Sequence, residues 1–304
     1  MRPSTPTQIY GVFWIILPRI VFLTGNGEIF ENHRSDNHRI VCSRRPLRLL
    51  LPHAVASEPD SRNRHTFQAI PPGGTACPAG LRRGPDAAYA PAHRSAEGDF
   101  DFNASFDWVR ERFRAADAAI VNLETTLSES GPYTGYPCFR SPAALAEALD
   151  SLGVDITVLA NNHCCDGGSK GIRTTIRELD RHGIEHTGVF LDSSDFRARH
   201  PLRFEAGGIR FALLNYTYGT NGLPVPSGLS VNPIDTVRIA ADLAAVEHDG
   251  VDCVIACMHW GNEYERRPNK VQRQLAGFLR RHGVDLIVGS HPHVVQPYEQ
   301  DSNG

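Results

Sequence analysis

Beyond residue 98 the chain alternates short apolar runs with stretches whose apolar residues recur at helical spacing. Phe106, Val109 and Phe113 predict a first helix, and the strand-like run 118–122 a strand directly after it. Leu145, Leu149 and Leu152 predict a second helix, followed by a strand over 155–160. Ile172, Ile176 and Leu179 share one face of a third helix, which Gly183 is suited to cap. Gly207 and Gly208 join two β-rich runs, 202–206 and 209–216, as a hairpin. A helix around Ile239, Leu243 and Val246 leads into the apolar strand 251–258. A last helix, marked by Val271, Leu275, Phe278 and Leu279, precedes a strand over 284–288. Strands apolar at nearly every position, alternating with helices, imply an α/β fold with a buried sheet, and the hairpin makes that sheet mixed.

The preceding residues follow no such design. Between 43 and 93 no period of 3.6 or of 2 is sustained, and Arg clusters alternate with Pro and Gly. Such a stretch buries too little surface to offset its ordering entropy. Two regions are therefore expected: 1–97, a disordered or misassigned extension, and 98–304, the folded domain. Charge divides the same way, with residues 1–99 at +4 inside a chain of net charge −3. That net charge argues against a nucleic-acid partner. Seven cysteines without paired zinc spacing make no disulfide framework, and Cys253 and Cys257 read as small core residues. The apolar run 9–23 is a weak export signal or anchor: Pro18 and Arg19 interrupt it, and it falls short of a membrane span. The compartment stays open between cytoplasm and cell envelope.

Chemistry collects at the strand ends. Four predicted strands run directly into residues able to bind a metal: Glu124, then Asn161, Asn162 and His163, then His259, then His291 and His293. In α/β sheets ligands gather at the carboxyl ends of strands, so these side chains are expected in one crevice. Glu124 is suited to bridge two cations; Asn162 offers an amide oxygen, and His259, His291 and His293 offer imidazole nitrogens. His291 and His293 flank one proline, and an extended segment would turn both rings to the same side. His163 is placed to act as general acid or to stabilise phosphate charge. A single histidine at a strand end is ordinary, and Asn-Asn before His often only forms a turn. Four junctions of the same kind are not ordinary. Cys164, Cys165 and Trp260 are expected to pack near the site. His182, His186, His200, His248 and His282 are expected on the surface. The Gly- and Pro-rich segment 217–230 is a candidate loop on the substrate side.

The strings NLETTL (122–127), ANNHCCDGG (160–168), MHWGNEY (258–264) and GSHPHVVQP (289–297), in this order, resemble the CapA-type branch of the calcineurin-like phosphoesterase superfamily. The resemblance implies a four-layer α/β/β/α sandwich with two mixed sheets. It puts Glu124 in the place of the superfamily's bridging Asp, Asn162 in that of the Asn of its GNH motif, His259 in that of its isolated His, and His291 and His293 in those of its GHxH pair. It also implies divalent cations, Mn, Fe or Zn, two of them in an intact member. Such domains open with a strand ending in a Gly-Asp motif and continue past GSHPH into further β structure. Gly98-Asp99 follows no apolar strand, so the reading is of a domain incomplete at both ends, with the second cation left to Glu124 and His293.

The implied function is a metal-dependent phosphoesterase-like protein of poly-γ-glutamate or capsule polymer biosynthesis. Its expected partners are a phosphoester or envelope polymer substrate and a membrane synthase complex. The alternatives are a non-catalytic accessory of such a complex and an inactive fragment.

Overall fold

The computed structural model describes residues 100–300, His248 excepted, together with the backbone of four short upstream strands, Val12–Leu17, Ile40–Cys42, Arg45–Leu47 and His93–Arg94. The expectation for 1–97 falls largely outside these residues, as does that for His248.

Two four-stranded sheets form the frame. The first has the order β1 (Val12–Leu17), β2 (Ala118–Leu123), β3 (Ile156–Val158) and β4 (Glu185–Thr187). The second has the order β5 (Leu202–Ala206), β6 (Ile209–Thr217), β7 (Cys253–His259) and β8 (Leu286–Ser290). Each sheet is mixed in the same way: its first strand runs antiparallel and the other three run parallel. In the first sheet β1 is a segment of the apolar run 9–23, and among the described residues no helix is long and apolar enough to cross a membrane.

Three apolar clusters define four layers. Ile120, Ile156 and Val158 from the first sheet meet Leu213, Ile255 and Cys257 from the second, so the sheets pack face to face. The outer face of the first sheet is covered by α1 (Asp107–Arg114), α2 (Ala144–Leu152) and α3 (Gly168–Arg181), through Phe113, Leu149 and Ile176. The short α4 (Ser193–Arg199) leads from the first sheet into the second. The outer face of the second sheet is covered by α5 (Thr236–Glu247) and α6 (Lys270–Arg281), through Ile239, Leu243, Leu275 and Leu279. This is an α/β/β/α sandwich. Covering both faces explains why β2 and β7 are buried at every position and read as apolar runs broken only by Asn122 and the terminal His259.

One polar residue stitches the sheets together. Asn215, on β6, is buried; its Oδ1 accepts from the Ala160 backbone N–H at 2.6 Å, and its Nδ2 donates to the Cys257 carbonyl at 3.1 Å. Gly188 makes room for it: a Cβ there would lie 2.1 Å from Asn215 Oδ1, and its φ of +97° suits only glycine. Asn215→Ala would leave the Ala160 N–H buried without a partner. The expected cost is about 2–3 kcal/mol, read as a fall of about 4–10 °C in the thermal melt. An unchanged melt would show that the stitch is dispensable.

Two histidines expected on the surface are buried. His186 lies on β4, fully enclosed, with Nε2 3.3 Å from Asp180 Oδ1 on α3. His200 lies between Asp242 Oδ2, 2.9 Å from its Nε2, and the Asn232 amide, 3.2 Å from its Nδ1. A three-residue strand such as β4 carries too little alternation to reveal its inward face. His282 is exposed as expected, and His182 is half-buried with Asp150 Oδ2 3.4 Å from its Nδ1.

Candidate metal centre

All the parallel strands of both sheets point the same way, and their carboxyl ends meet at one edge of the sandwich. Register places Thr217 beside His259 and His259 beside Ser290. In the first sheet Asn122 on β2 pairs with Val158 on β3. Just beyond β3, Asn161 ties the two strand ends together, donating to the Leu123 carbonyl at 2.9 Å and to Asn122 Oδ1 at 3.2 Å. Its own Oδ1 accepts the His163 N–H at 3.1 Å. The turn that carries Asn162 and His163 is thereby fixed to the strand that carries Glu124.

The structure brings together all five side chains singled out as metal ligands. Glu124, His291 and His293 each offer a ligand atom within 4.8 Å of the others. His259 Nε2 stands 3.5 Å from Glu124 Oε1 and 2.8 Å from Asn162 Oδ1. The rings of His259 and His291 lie 5.0 Å apart. Ligands of one cation at 2.0–2.2 Å lie at most about 4.4 Å from each other, so the cluster needs only slight contraction to hold an ion.

His291 and His293 converge by a route other than the expected one. Their segment is not extended: φ is +96° at His291 and +54° at His293. Such left-handed backbone costs on the order of 1–3 kcal/mol per residue and persists only where its surroundings enforce it. Here the Tyr264 N–H donates to the Pro292 carbonyl at 2.7 Å, holding the turn between the two rings. Upstream, Trp260 lies against Gly289, where a Cβ would stand 2.6 Å from the indole nitrogen. The HWG and GSHPH strings are thus packed on one another, with Trp260 buried as expected. Cys164 and Cys165 are also buried beside the site.

The electrostatics suit a cation. Burial pushes the Glu124 carboxyl up to about 8, against the lowering pull of the Asn122 amide 3.1 Å from its Oε2; Glu263 and Asp166 add repulsion. Burial holds His259 well below its ordinary range, and burial together with neighbouring imidazoles brings His291 to about 4. His293 is likewise brought to about 4 by burial, with His163 adding to the effect. Neutral imidazole is the metal-binding form. Glu124 Oε1 and His291 Nδ1 are buried with no hydrogen-bond partner among the described residues. Ser290 Oγ lies 2.8 Å from His259 Nδ1. In the tautomer that donates Nδ1–H to Ser290, His259 Nε2 would be left as a lone-pair donor for a cation, with Asn162 Oδ1 2.8 Å away. The donor set therefore fits a divalent ion of the Mn, Fe or Zn type, whose identity and number it leaves open.

His163 stands beside the cluster with its Nδ1 2.7 Å from Asp166 Oδ2, and Phe139 packs edge-on against its ring at 4.4 Å. The same Asp166 oxygen accepts the Phe139 backbone N–H at 2.6 Å. Sequence reasoning gave Asp166 no role, although it sits inside ANNHCCDGG, one tight turn after His163. Asn122, Ser290, Tyr218 and Asn221 were also missed. Tyr218 and Asn221 belong to the 217–230 loop, which does reach the site: the Tyr218 ring lies 4.7 Å from that of His291, and Asn221 Oδ1 accepts from Asn162 Nδ2 at 3.2 Å. Nothing local in the sequence joins Asn221 to Asn162.

The chain is 28% identical over 199 residues to the PGA biosynthesis protein CapA of Bacillus subtilis, covering 64% of this chain and 52% of that one. It is 29% identical over 163 residues to the capsule biosynthesis protein CapA of Bacillus anthracis, covering 52% of this chain and 39% of the relative. A Mycobacterium tuberculosis protein named "Probable polyglutamine synthesis accessory protein" is 27% identical over 201 residues, covering 61% of this chain and 52% of its own. The chain thus spans about half the length, or less, of these relatives. The model of the bacterial capsule synthesis protein family PGA_cap matches residues 80–304. With its NLETTL, ANNH, HWG and GSHPH segments converging on one centre inside that span, the chain belongs to the PGA_cap family of CapA-type bacterial capsule synthesis proteins.

Proposed function

We propose that the chain is a metal-dependent phosphoesterase-like protein acting in the biosynthesis of poly-γ-glutamate or a related capsule polymer. The observation that carries the proposal is the meeting of Glu124, Asn162, His259, His291 and His293 at one sheet edge, with the His163–Asp166 pair beside them. A bound divalent cation would polarise the phosphoryl oxygens and activate water. The chain's own residues do the rest. Glu124, Asn162 and the three imidazoles would hold the ion. Asp166 accepts the Nδ1–H of His163 and sets its tautomer, leaving Nε2 to carry a proton to or from the substrate. Phe139 and the buried floor of the turn keep that ring from rotating away.

The test is turnover of a simple phosphodiester, such as bis-p-nitrophenyl phosphate, by the chain supplied with Mn, Fe or Zn. Metal-dependent hydrolysis is expected. His163→Ala should lower kcat by about 100-fold or more while cation affinity is kept, and Asp166→Asn by about 10-fold or more.

One observation favours a second reading, a non-catalytic accessory of a membrane synthase complex that binds polymer or substrate through the same centre. Strand β1 runs antiparallel to β2, with Val12 opposite Leu123 and Leu17 opposite Ala118. Its carboxyl end therefore lies at the edge of the sheet opposite Glu124. Tight cation binding without turnover of any phosphoester would select this reading.

A further inference from the structure

The loop after β6 makes a contact that neither the strand-end pattern nor the family's motif strings account for. It leaves the sheet at Thr217 beside His259, and the Tyr218 N–H donates to the His259 carbonyl at 3.0 Å. The following turn is closed by its own bonds: Leu223 N–H to the Thr220 carbonyl at 2.9 Å, and Thr220 Oγ1 to the Leu223 carbonyl at 2.6 Å. At its apex Asn221 adopts φ +51°, a conformation asparagine tolerates better than most residues. This turn presents Asn221 Oδ1 to Asn162 Nδ2 at 3.2 Å, and the Tyr218 hydroxyl donates to the same oxygen at 3.4 Å.

An asparagine side chain has one donating and one accepting end, and only the oxygen binds a cation. With Nδ2 taken by Asn221, Asn162 must turn its oxygen inward, where it lies 2.8 Å from His259 Nε2. We propose that Asn221 is a positioning residue for the cation, acting through Asn162 by holding that amide with its oxygen toward the centre. The proposal rests on the metal-centre reading given above. Groups that orient a metal ligand typically change affinity by about 10–100-fold when removed.

The experiment is a Co²⁺ titration of the full chain, followed by calorimetry and by the visible absorption of the bound ion, with a metal-free melt for each variant. Asn221→Gly removes the acceptor but accepts the positive φ, and it decides the matter where Asn221→Ala fails to fold. Both variants should weaken Co²⁺ by about 10–100-fold and alter its absorption bands. Asn221→Asp can only accept, so it should keep the wild-type bands and bind at least as tightly. Wild-type binding by Asn221→Gly would overturn the proposal, as would equal weakening in Asn221→Gly and Asn221→Asp. His259→Ala run in parallel separates the two levels of the argument. If it loses Co²⁺ while Asn221→Gly does not, the centre stands and the positioning role alone falls. If His259→Ala binds as wild type, the centre falls, and the positioning role with it.

Discussion

Replacing His259 by alanine is expected to weaken divalent-cation binding on the order of 100-fold or more. This imidazole is the link between the two sheets at the site: it sits at the end of β7, and its Nε2 faces both Glu124 Oε1 and Asn162 Oδ1 from the first sheet. Its other nitrogen is held by Ser290 on β8. A site with several protein ligands derives on the order of 3 kcal/mol or more from each, which corresponds to a loss of at least 100-fold. Because His259 is fully buried, alanine would also leave a cavity, costing about 2–4 kcal/mol of stability. His259→Gln separates the effects, since it keeps most of the volume and a hydrogen-bonding end. Loss of cation in both variants, measured by calorimetry on chains with cooperative melts, is the expected outcome. Retention of wild-type affinity in the glutamine variant would mean that the imidazole packs between the sheets without binding metal.

Cation binding at pH 7 should release about one proton, and the proton should come from Glu124. In the metal-free chain burial raises this carboxyl to about 8, so it is mostly protonated at neutral pH. His291 and His293, lowered to about 4, and His259, held lower than its ordinary range, are already neutral and have no proton to give. The sign follows directly. Between about pH 6 and 8 the cation must displace a proton from Glu124, so apparent affinity rises about tenfold per pH unit and levels off above pH 8. Calorimetry in two buffers of different ionisation enthalpy counts the proton. Glu124→Gln should bind weakly and release none. An affinity flat from pH 6 to 8, rising only between pH 4 and 6, would assign the competing proton to histidine instead.

Much of the frame was legible in the sequence because both faces of each sheet are covered. β2 and β7, buried at every position, could only read as apolar runs, and their exits into Glu124 and His259 were visible for that reason. The helices were legible through Phe113, Leu149, Ile176 and Leu279, each spaced to face a sheet. What escaped was polar and non-local. Asn215 interrupts an apolar strand, and its use as a bridge appears only when Ala160 and Cys257 are brought beside it. Asn221 lies in a loop with no periodicity, and His186 in a strand too short to alternate. The His-Pro-His spacing suggested rings turned to one side by an extended segment; the structure brings them together through two left-handed residues instead, with the Tyr264 N–H on the Pro292 carbonyl between them. The apolar run 9–23 shows the complementary limit. Periodicity alone did not single out the six residues Val12–Leu17 that pair with β2.

The most direct measurement is X-ray absorption at the metal edge of the full chain loaded with Zn²⁺ or Mn²⁺. A centre built from Glu124, Asn162, His259, His291 and His293 predicts a mixed oxygen and nitrogen shell with imidazole scattering that diminishes in His259→Gln. An all-oxygen shell unchanged by that substitution, or no retained ion, would contradict it.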